Sequence, residues 1–234
     1  MKMFFKKILY VFYMIGTMFK GVKHSYIKRV KGVQRGEEYL EEAFYKWAKF
    51  TIETIGIDVE VAGLEKVPKG RCVFIGNHTS ILDIPILLYA SKRMMGFIAK
   101  EETMKIPIIK YWLKKAKCVP LNRSNAREAV KSFSLGVEYL NEGYSMAIFP
   151  EGTRMRDGRI GEFKKGSLKL ATRAKAPIVP VSIEGAYKCY EETGKFKPAK
   201  VKITFGDPIV TKKISRAEEV GLVDRVKEEI IKIG

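Results

Sequence analysis

Histidine and cysteine are both scarce in this chain of 234 residues, which contains two histidines and three cysteines. The cysteines, Cys72, Cys118 and Cys189, are odd in number, widely spaced and without a C-x-x-C pair. This pattern excludes a disulfide framework and the usual zinc motifs, and it fits a reducing compartment. Internal repeats and low-complexity tracts are also absent, and the length suits one domain, or one domain with an appendage.

The amino-terminal segment, residues 1–36, contains no acidic residue. It holds nine bases: Lys2, Lys6, Lys7, Lys20, Lys23, Lys28, Arg29, Lys31 and Arg35. Over the whole chain, 44 Lys and Arg against 26 Asp and Glu give a formal net charge of +18. A protein so basic is expected to meet an anionic partner, either nucleic acid or an anionic lipid surface.

The apolar run in this segment is too short to cross a bilayer easily. Residues 8–19 would extend roughly 18 Å as a helix at about 1.5 Å per residue, against a hydrocarbon core about 30 Å thick. No small-x-small cleavage site follows, which argues against a signal peptide. The sequence therefore predicts a helix in the membrane interface, with lysines reaching the headgroups, on a peripheral or monotopic protein at the cytoplasmic face of the cell membrane.

Residues 37–55 are expected to form a second helix, because Leu40, Phe44, Trp47 and Ile55 follow helical spacing. Two interpretations of its apolar face stay open. It can pack on the core of the main domain, or it can form a hairpin with the first helix and share its membrane contact. We predict an amino-terminal membrane-association segment at 1–56 and a catalytic α/β domain at 57–234.

Beyond residue 56, strand-like and helix-like segments alternate. Predicted strands cover 58–62, 71–76, 96–99, 118–121, 144–149, 178–183 and 200–205, and predicted helices cover 82–91, 108–117, 125–141, 166–175 and 215 to the end. Such alternation indicates an α/β fold with a mostly parallel central sheet flanked by helices. Ligands of such folds bind beyond the carboxyl ends of the strands.

An imidazole and a carboxylate follow one of these strands. His78 and Asp83 lie five positions apart, across a predicted strand-to-helix turn. That turn can fold the carboxylate back onto the ring, which would fix the tautomer and leave the other ring nitrogen free as a base. A capping role for Asp83 in the first helical turn is compatible with this hypothesis.

A candidate anion site follows three other strands. Gly152, Thr153 and Arg154, next to Glu151, can offer backbone N–H groups, a hydroxyl and a guanidinium to one phosphate. Arg123 and Lys100 also end predicted strands and could reach the same anion.

No residue clearly offers a covalent nucleophile. Thr79 and Ser80 lie in the turn between His78 and Asp83, too close to sit beyond the ring, and no G-x-S-x-G motif is present. The simpler arrangement is that the base acts on a hydroxyl brought by the substrate.

Taken together, these motifs resemble the PlsC family of lysophosphatidic acid acyltransferases over residues 70–185. Residues 77–83 look like its N-H-x-x-x-x-D motif, residues 121–123 the end of its second motif, residues 149–154 its third motif and residues 179–181 its fourth. The resemblance implies transfer of a fatty acyl group to the free hydroxyl of lysophosphatidic acid, which gives phosphatidic acid.

The resemblance also implies residue roles. His78 would deprotonate the glycerol hydroxyl and Asp83 would orient His78, while Arg123 and residues 151–154 would hold the phosphate. The donor would be an acyl thioester of coenzyme A or of acyl carrier protein, attacked without an acyl-enzyme, and no metal or other cofactor is expected.

Other functions remain to be separated from this one. Glycerol-3-phosphate or another lysophospholipid could be the acceptor, and a lipid-binding protein without turnover could use the same fold. Nucleic-acid binding is suggested by charge alone; because no zinc-finger spacing or RNP-like motif is evident, we expect no nucleic-acid partner.

Overall fold

The computed structural model describes residues 3–122, 126–164 and 166–234. Within these residues the chain forms seven strands and seven α-helices. The strands are β1 (Asp58–Ala62), β2 (Val73–Gly76), β3 (Met95–Lys100), β4 (Val119–Leu121), β5 (Ser145–Ile148), β6 (Ile178–Glu184) and β7 (Lys200–Phe205). The helices are α1 (Met3–Lys31), α2 (Val33–Ile55), α3 (Asp83–Ser91), α4 (Pro107–Lys115), α5 (Ala126–Asn141), α6 (Lys169–Ala174) and α7 (Arg216–Ile233).

All seven strands join one sheet in the order β1-β7-β6-β2-β5-β3-β4. Every neighbouring pair is parallel except β6 and β7. The mostly parallel α/β fold predicted from the sequence is therefore confirmed. Both faces of a parallel sheet are usually covered by helices. Accordingly, all four residues of β2 are buried.

Side chains alternate between two apolar cores, one on each face of the sheet. Phe74 joins the core that includes α2 and α3, whereas Val73 and Ile75 join the core that includes α5, α6 and α7. This alternation follows from the two-residue period of a strand.

Some predicted boundaries differ from the structure. Strand β2 begins at Val73 rather than at residue 71, because its pairing with β5 and β6 begins there. The Arg71 guanidinium donates to the carbonyl oxygens of Leu140 and Ala174. Helix α6 begins at Lys169 rather than at residue 166, since a hydrogen-bonded turn precedes it. The capping box of α7 at Ser215 is confirmed, whereas the one predicted at Asn125 lies outside the described residues.

The two amino-terminal helices form a hairpin. The rings of Tyr13 and Phe50 stack with their centroids 3.9 Å apart, and the Trp47 indole N–H donates to the Tyr10 hydroxyl over 3.1 Å. Another part of α2, which includes Ala48 and Ile52, belongs to the core of the sheet. Helix α2 thus packs on both the core and α1, while its membrane contact and the boundary at residue 56 stay predictions.

Helix α1 presents an exposed apolar stripe to solvent. Its exposed members recur at helical spacing: Phe5, Ile8, Phe12, Ile15, Phe19, Val22, Tyr26 and Val30. Another face of the helix is fixed to α4, because the Trp112 indole N–H donates to the Thr17 hydroxyl over 3.0 Å. None of the helices in the described ranges combines the length and apolar character needed to span a membrane.

The strand order places the predicted site residues on neighbouring strands. Strands β2, β5 and β3 lie side by side, and their carboxyl ends lead to His78, Glu151 and Lys100 in that order. Adjacent strands are about 4.8 Å apart, so these three ends lie within about 10 Å of one another.

Candidate active site

His78 and Asp83 are in direct contact. The Nδ1 atom of His78 lies 2.7 Å from Oδ2 of Asp83. The same carboxylate oxygen accepts the backbone N–H groups of Thr79 and Ser80, over 2.7 Å and 2.8 Å. The turn after β2 therefore wraps around the carboxylate, which fixes where the ring stands.

The Asp83 side chain is completely buried. Burial raises the pKa of its carboxyl above the usual range, while the hydrogen bonds from His78, Ser80 and Thr79 act in the opposite direction. Its second oxygen, Oδ1, has no hydrogen-bond partner among the described residues, so the whole polar contact runs through the oxygen that faces the ring.

The imidazole is held on its flat side as well as at its edge. The ring of Phe149, the residue just after β5, stacks on it with the centroids 4.4 Å apart and the planes 15° apart. The His78 side chain nevertheless keeps 19% of its surface exposed. With Nδ1 donating to the carboxylate, the neutral ring carries its lone pair on Nε2, which can accept a proton from a bound hydroxyl.

Glu151 connects the loop after β5 to the backbone of His78. Its buried carboxylate accepts the His78 N–H over 2.6 Å and the Gly161 N–H over 2.9 Å. Burial also raises the pKa of this carboxyl. On the other side of the same residue, the Met155 N–H donates to the His78 carbonyl over 2.7 Å. The loop 151–155 is thus tied to His78 at both of its backbone polar groups.

The predicted anion site divides into residues with different positions. Gly152 has φ +72°, a conformation that glycine adopts without strain. Thr153 is exposed, and Arg154 is partly exposed. Lys100 is exposed at the end of β3, whereas Arg123 lies outside the described residues. Contact of any of these residues with a phosphate remains a prediction. The Glu151 carboxylate already accepts two backbone N–H groups and holds the loop in place.

Arg154 is paired with a residue that the sequence did not single out. Its Nη1 atom lies 2.9 Å from Oε1 of Glu191. Glu191 lies far along the chain from either motif and has an adjacent glutamate of identical type, so no local signal distinguished it.

Asn77 is a second site residue whose role the sequence did not define. Its side-chain amide exchanges two hydrogen bonds with the backbone of Ile183 on β6, over 2.9 Å and 2.8 Å. These bonds fix the end of β2, from which His78 projects. Neither asparagine nor glutamate in a loop carries a periodic pattern, so only the fold reveals such partners.

No group of three or more His, Cys, Asp or Glu side chains in the described ranges is arranged to hold a metal ion. Cys189 is buried near the dyad, and burial together with the neighbouring Glu191 and Asp83 carboxylates raises the pKa of its thiol to about 11. The thiol is therefore protonated at neutral pH, which makes it a poor nucleophile.

Comparisons with known proteins agree with this geometry. The family model described as Acyltransferase matches residues 58–184, a range that includes the dyad and the loop 151–155. A chloroplastic 1-acyl-sn-glycerol-3-phosphate acyltransferase of Brassica napus is 36% identical over 154 residues, which are 65% of this chain and 42% of the relative. The chain therefore aligns with less than half the length of that relative.

A bacterial relative and a solved structure match over more of their length. A probable 1-acyl-sn-glycerol-3-phosphate acyltransferase of Mycoplasma pneumoniae is 31% identical over 80% of this chain and 74% of its own. The crystal structure of the 1-acyl-sn-glycerophosphate acyltransferase PlsC of Thermotoga maritima has a TM-score of 0.82 and 32% identity, and the match covers 97% of this chain and 95% of that one. The chain belongs to the acyltransferase family of which these 1-acylglycerol-phosphate acyltransferases are members.

Proposed function

We propose that this protein transfers a fatty acyl group from an acyl thioester to the free hydroxyl of lysophosphatidic acid and so produces phosphatidic acid. The acceptor is inferred from the relatives of this chain, which are acyltransferases of 1-acyl-sn-glycerol-3-phosphate. The observation that carries the proposal is the 2.7 Å contact between His78 and the buried Asp83, with the phosphate-binding candidates Gly152 and Arg154 on the loop next to it.

In the proposed reaction, Nε2 of His78 accepts the proton of the acceptor hydroxyl as its oxygen attacks the thioester carbonyl carbon. The new C–O bond forms, the C–S bond breaks, and the imidazolium returns the proton to the departing thiolate. The Asp83 carboxylate stabilises the imidazolium between these two steps. Base catalysis of this kind supplies roughly 10² to 10⁴ in rate, and positioning of the two substrates supplies much of the rest.

A direct attack by the substrate agrees with the positions of the hydroxyl side chains near the dyad. The Ser80 side chain is fully buried, and its hydroxyl donates to Glu191 while it accepts the Leu82 N–H. A serine held in this way cannot reach a thioester, so no acyl-enzyme is needed in the proposal.

An acyl-transfer assay with the purified protein tests the proposal. Lysophosphatidic acid, glycerol-3-phosphate and another lysophospholipid are supplied as acceptors, each with acyl-coenzyme A and with acyl carrier protein thioesters, and the lipid products are separated by mass. We expect phosphatidic acid from lysophosphatidic acid with at least one donor class. Product from glycerol-3-phosphate alone would change the assigned acceptor, and no product from any pair would refute the enzyme.

We also propose that α1 binds the surface of an anionic membrane, where acceptor and product reside. The support is the exposed apolar stripe, which contains Phe12 and Phe19 with 67% and 75% of their surfaces exposed. Exposed lysines border it, among them Lys7 and Lys23. Each base near an anionic surface adds about 1 kcal/mol of attraction, and the aromatic rings add apolar burial.

The double variant Phe12→Ser and Phe19→Ser should lose binding to vesicles that contain phosphatidylglycerol, because it removes two aromatic rings from the stripe. Co-sedimentation measures the bound fraction. The matched control is Val210→Ser with Val220→Ser, which changes two equally exposed apolar residues outside α1 and should leave binding intact. Equal binding by both double variants would reject α1 as the membrane contact. Competition between DNA and the vesicles for the protein would support a nucleic-acid partner instead.

A further inference from the structure

Two adjacent glutamates, Glu191 and Glu192, follow the short helical turn Ala186–Cys189 and differ sharply in their surroundings. The Glu191 side chain is 2% exposed, whereas Glu192 is 44% exposed and pairs with Lys197 at the surface. A buried carboxylate is costly unless it is paired and hydrogen-bonded. The partners of Glu191 therefore indicate why the fold retains it.

Those partners come from both parts of the active site. Oε2 of Glu191 accepts the hydroxyl of Ser80 over 2.5 Å, and Oε1 accepts the backbone N–H of Ile81 over 2.8 Å. Oε1 also accepts Nη1 of Arg154 over 2.9 Å. One carboxylate thus joins the turn between His78 and Asp83 to the arginine of the neighbouring loop.

The ion pair leaves most of the guanidinium available. An arginine side chain carries five N–H donors in a rigid plane, and within the described ranges the Arg154 guanidinium makes no hydrogen bond other than the one to Glu191. A long side chain otherwise loses rotamer freedom when a ligand fixes it. Because Glu191 already holds Nη1, a phosphate that binds the remaining N–H groups meets a preorganised arginine.

We propose that Glu191 is a positioning residue of the site: it orients Arg154 toward the acceptor phosphate and fixes that guanidinium relative to the turn of the His78–Asp83 dyad. This inference rests on the proposed function for the identity of the anion. It assigns a role in acceptor binding to a residue outside every motif described above.

The variant Glu191→Ala should raise the KM for lysophosphatidic acid by about tenfold, the size expected when a charged hydrogen bond is lost, with a smaller change in kcat. Glu192→Ala is the matched control, since it removes a neighbouring carboxylate that contacts neither loop, and it should leave both constants near those of the wild type. An unchanged KM in folded Glu191→Ala protein would overturn the proposal.

The conservative variant Glu191→Gln separates positioning from charge. Its side-chain carbonyl can accept from Arg154 and Ile81, and its amide can donate to the Ser80 hydroxyl, so the geometry is retained without the negative charge. We expect the KM of Glu191→Gln for lysophosphatidic acid to lie near the wild-type value and well below the raised KM of Glu191→Ala. A KM as high as that of the alanine variant would show that charge, rather than the position of Arg154, sets the effect.

A double-mutant cycle tests whether Glu191 acts through Arg154. In an Arg154→Ala background, the further change Glu191→Ala should leave the KM for lysophosphatidic acid almost unchanged, because the group to be oriented is already gone. Full additivity of the two changes would refute the proposed coupling. It is the result expected if Glu191 merely supports the fold and does not act through Arg154.

Calorimetric titration with sn-glycerol 3-phosphate gives a readout that does not depend on turnover. Wild-type protein and Glu191→Gln should bind it with similar Kd, and Glu191→Ala about tenfold more weakly. If the wild type formed no phosphatidic acid, the proposed function would fail while this titration still reported on Glu191. Equal Kd values for all three proteins would reject the positioning role even in an active enzyme.

Discussion

Replacing His78 with alanine should lower kcat for phosphatidic acid formation by about 10² to 10⁴, the usual contribution of a general base. In the proposed mechanism the imidazole takes the hydroxyl proton on Nε2, and Asp83 lies 2.7 Å from its other nitrogen. Because the change leaves α1 and the loop 151–155 in place, vesicle binding should be unaffected. Steady-state kinetics with co-sedimentation on the same samples measures both quantities.

The second histidine of the chain supplies the matched control. His24 is buried on α1, where its Nδ1 atom lies 3.2 Å from Nζ of Lys115 rather than near the dyad. The side-chain carbonyl in His24→Gln can accept from the same lysine, so this variant should keep a kcat near the wild-type value. A His78→Ala protein that retained more than a tenth of the wild-type kcat would contradict the base assignment; loss of lipid binding together with activity would point to a structural role instead.

Replacing Asp83 with asparagine should also lower kcat by orders of magnitude, but without a loss of stability. The asparagine oxygen can replace Oδ2 and keep the hydrogen bonds from His78, Thr79 and Ser80, so the turn is preserved. What disappears is the negative charge that, in the proposed mechanism, fixes the tautomer of His78 and stabilises the imidazolium. In the serine-protease triad the same change costs about 10⁴ in kcat, and we expect at least about 10² here.

The stability of the same variant should depend on pH in a defined direction. Because burial raises the pKa of Asp83 in the folded protein, the stability that this group contributes is fully present below its unfolded-state pKa and is lost as pH rises through the folded-state value. Asp83→Asn does not titrate there, so its free energy of unfolding should gain on that of the wild type as pH rises above the unfolded-state pKa of about 4. Denaturant unfolding at several pH values tests this; a variant that is less stable at neutral pH and gains as pH falls would contradict the assignment.

The sheet was predictable from the sequence because its signals are local. Buried strands such as β2 and β6 are mostly apolar in sequence, and a helix such as α7 begins at a recognisable capping residue, Ser215. The meeting of residues 78–83 with residues 151–154 was also predictable, since carboxyl ends of parallel strands share one edge. Only the strand order, which places β5 beside β2, decides how close they come.

The remaining features depend on packing that no local pattern encodes. Glu191 and Glu192 are indistinguishable in sequence, yet one is buried against Ser80 and the other is paired at the surface. The length of α1 was also underestimated, because the apolar run at 8–19 is only its middle and the helix extends to Lys31. Its contacts with α2 and α4, rather than its hydropathy, determine its position.

The two hydrogen bonds that tie the loop 151–155 to the backbone of His78 have a consequence for the choice of acceptor. Because these bonds hold the loop that carries Arg154 against His78, we expect the distance from Nε2 to a phosphate bound at Arg154 to vary little. Under the proposed function, such a site selects acceptors by the number of bonds between the nucleophilic oxygen and the phosphate. A hydroxyl on the carbon adjacent to the phosphoester carbon matches one such interval, and an acceptor lengthened there by a methylene group would be out of reach whatever fatty chain it carried.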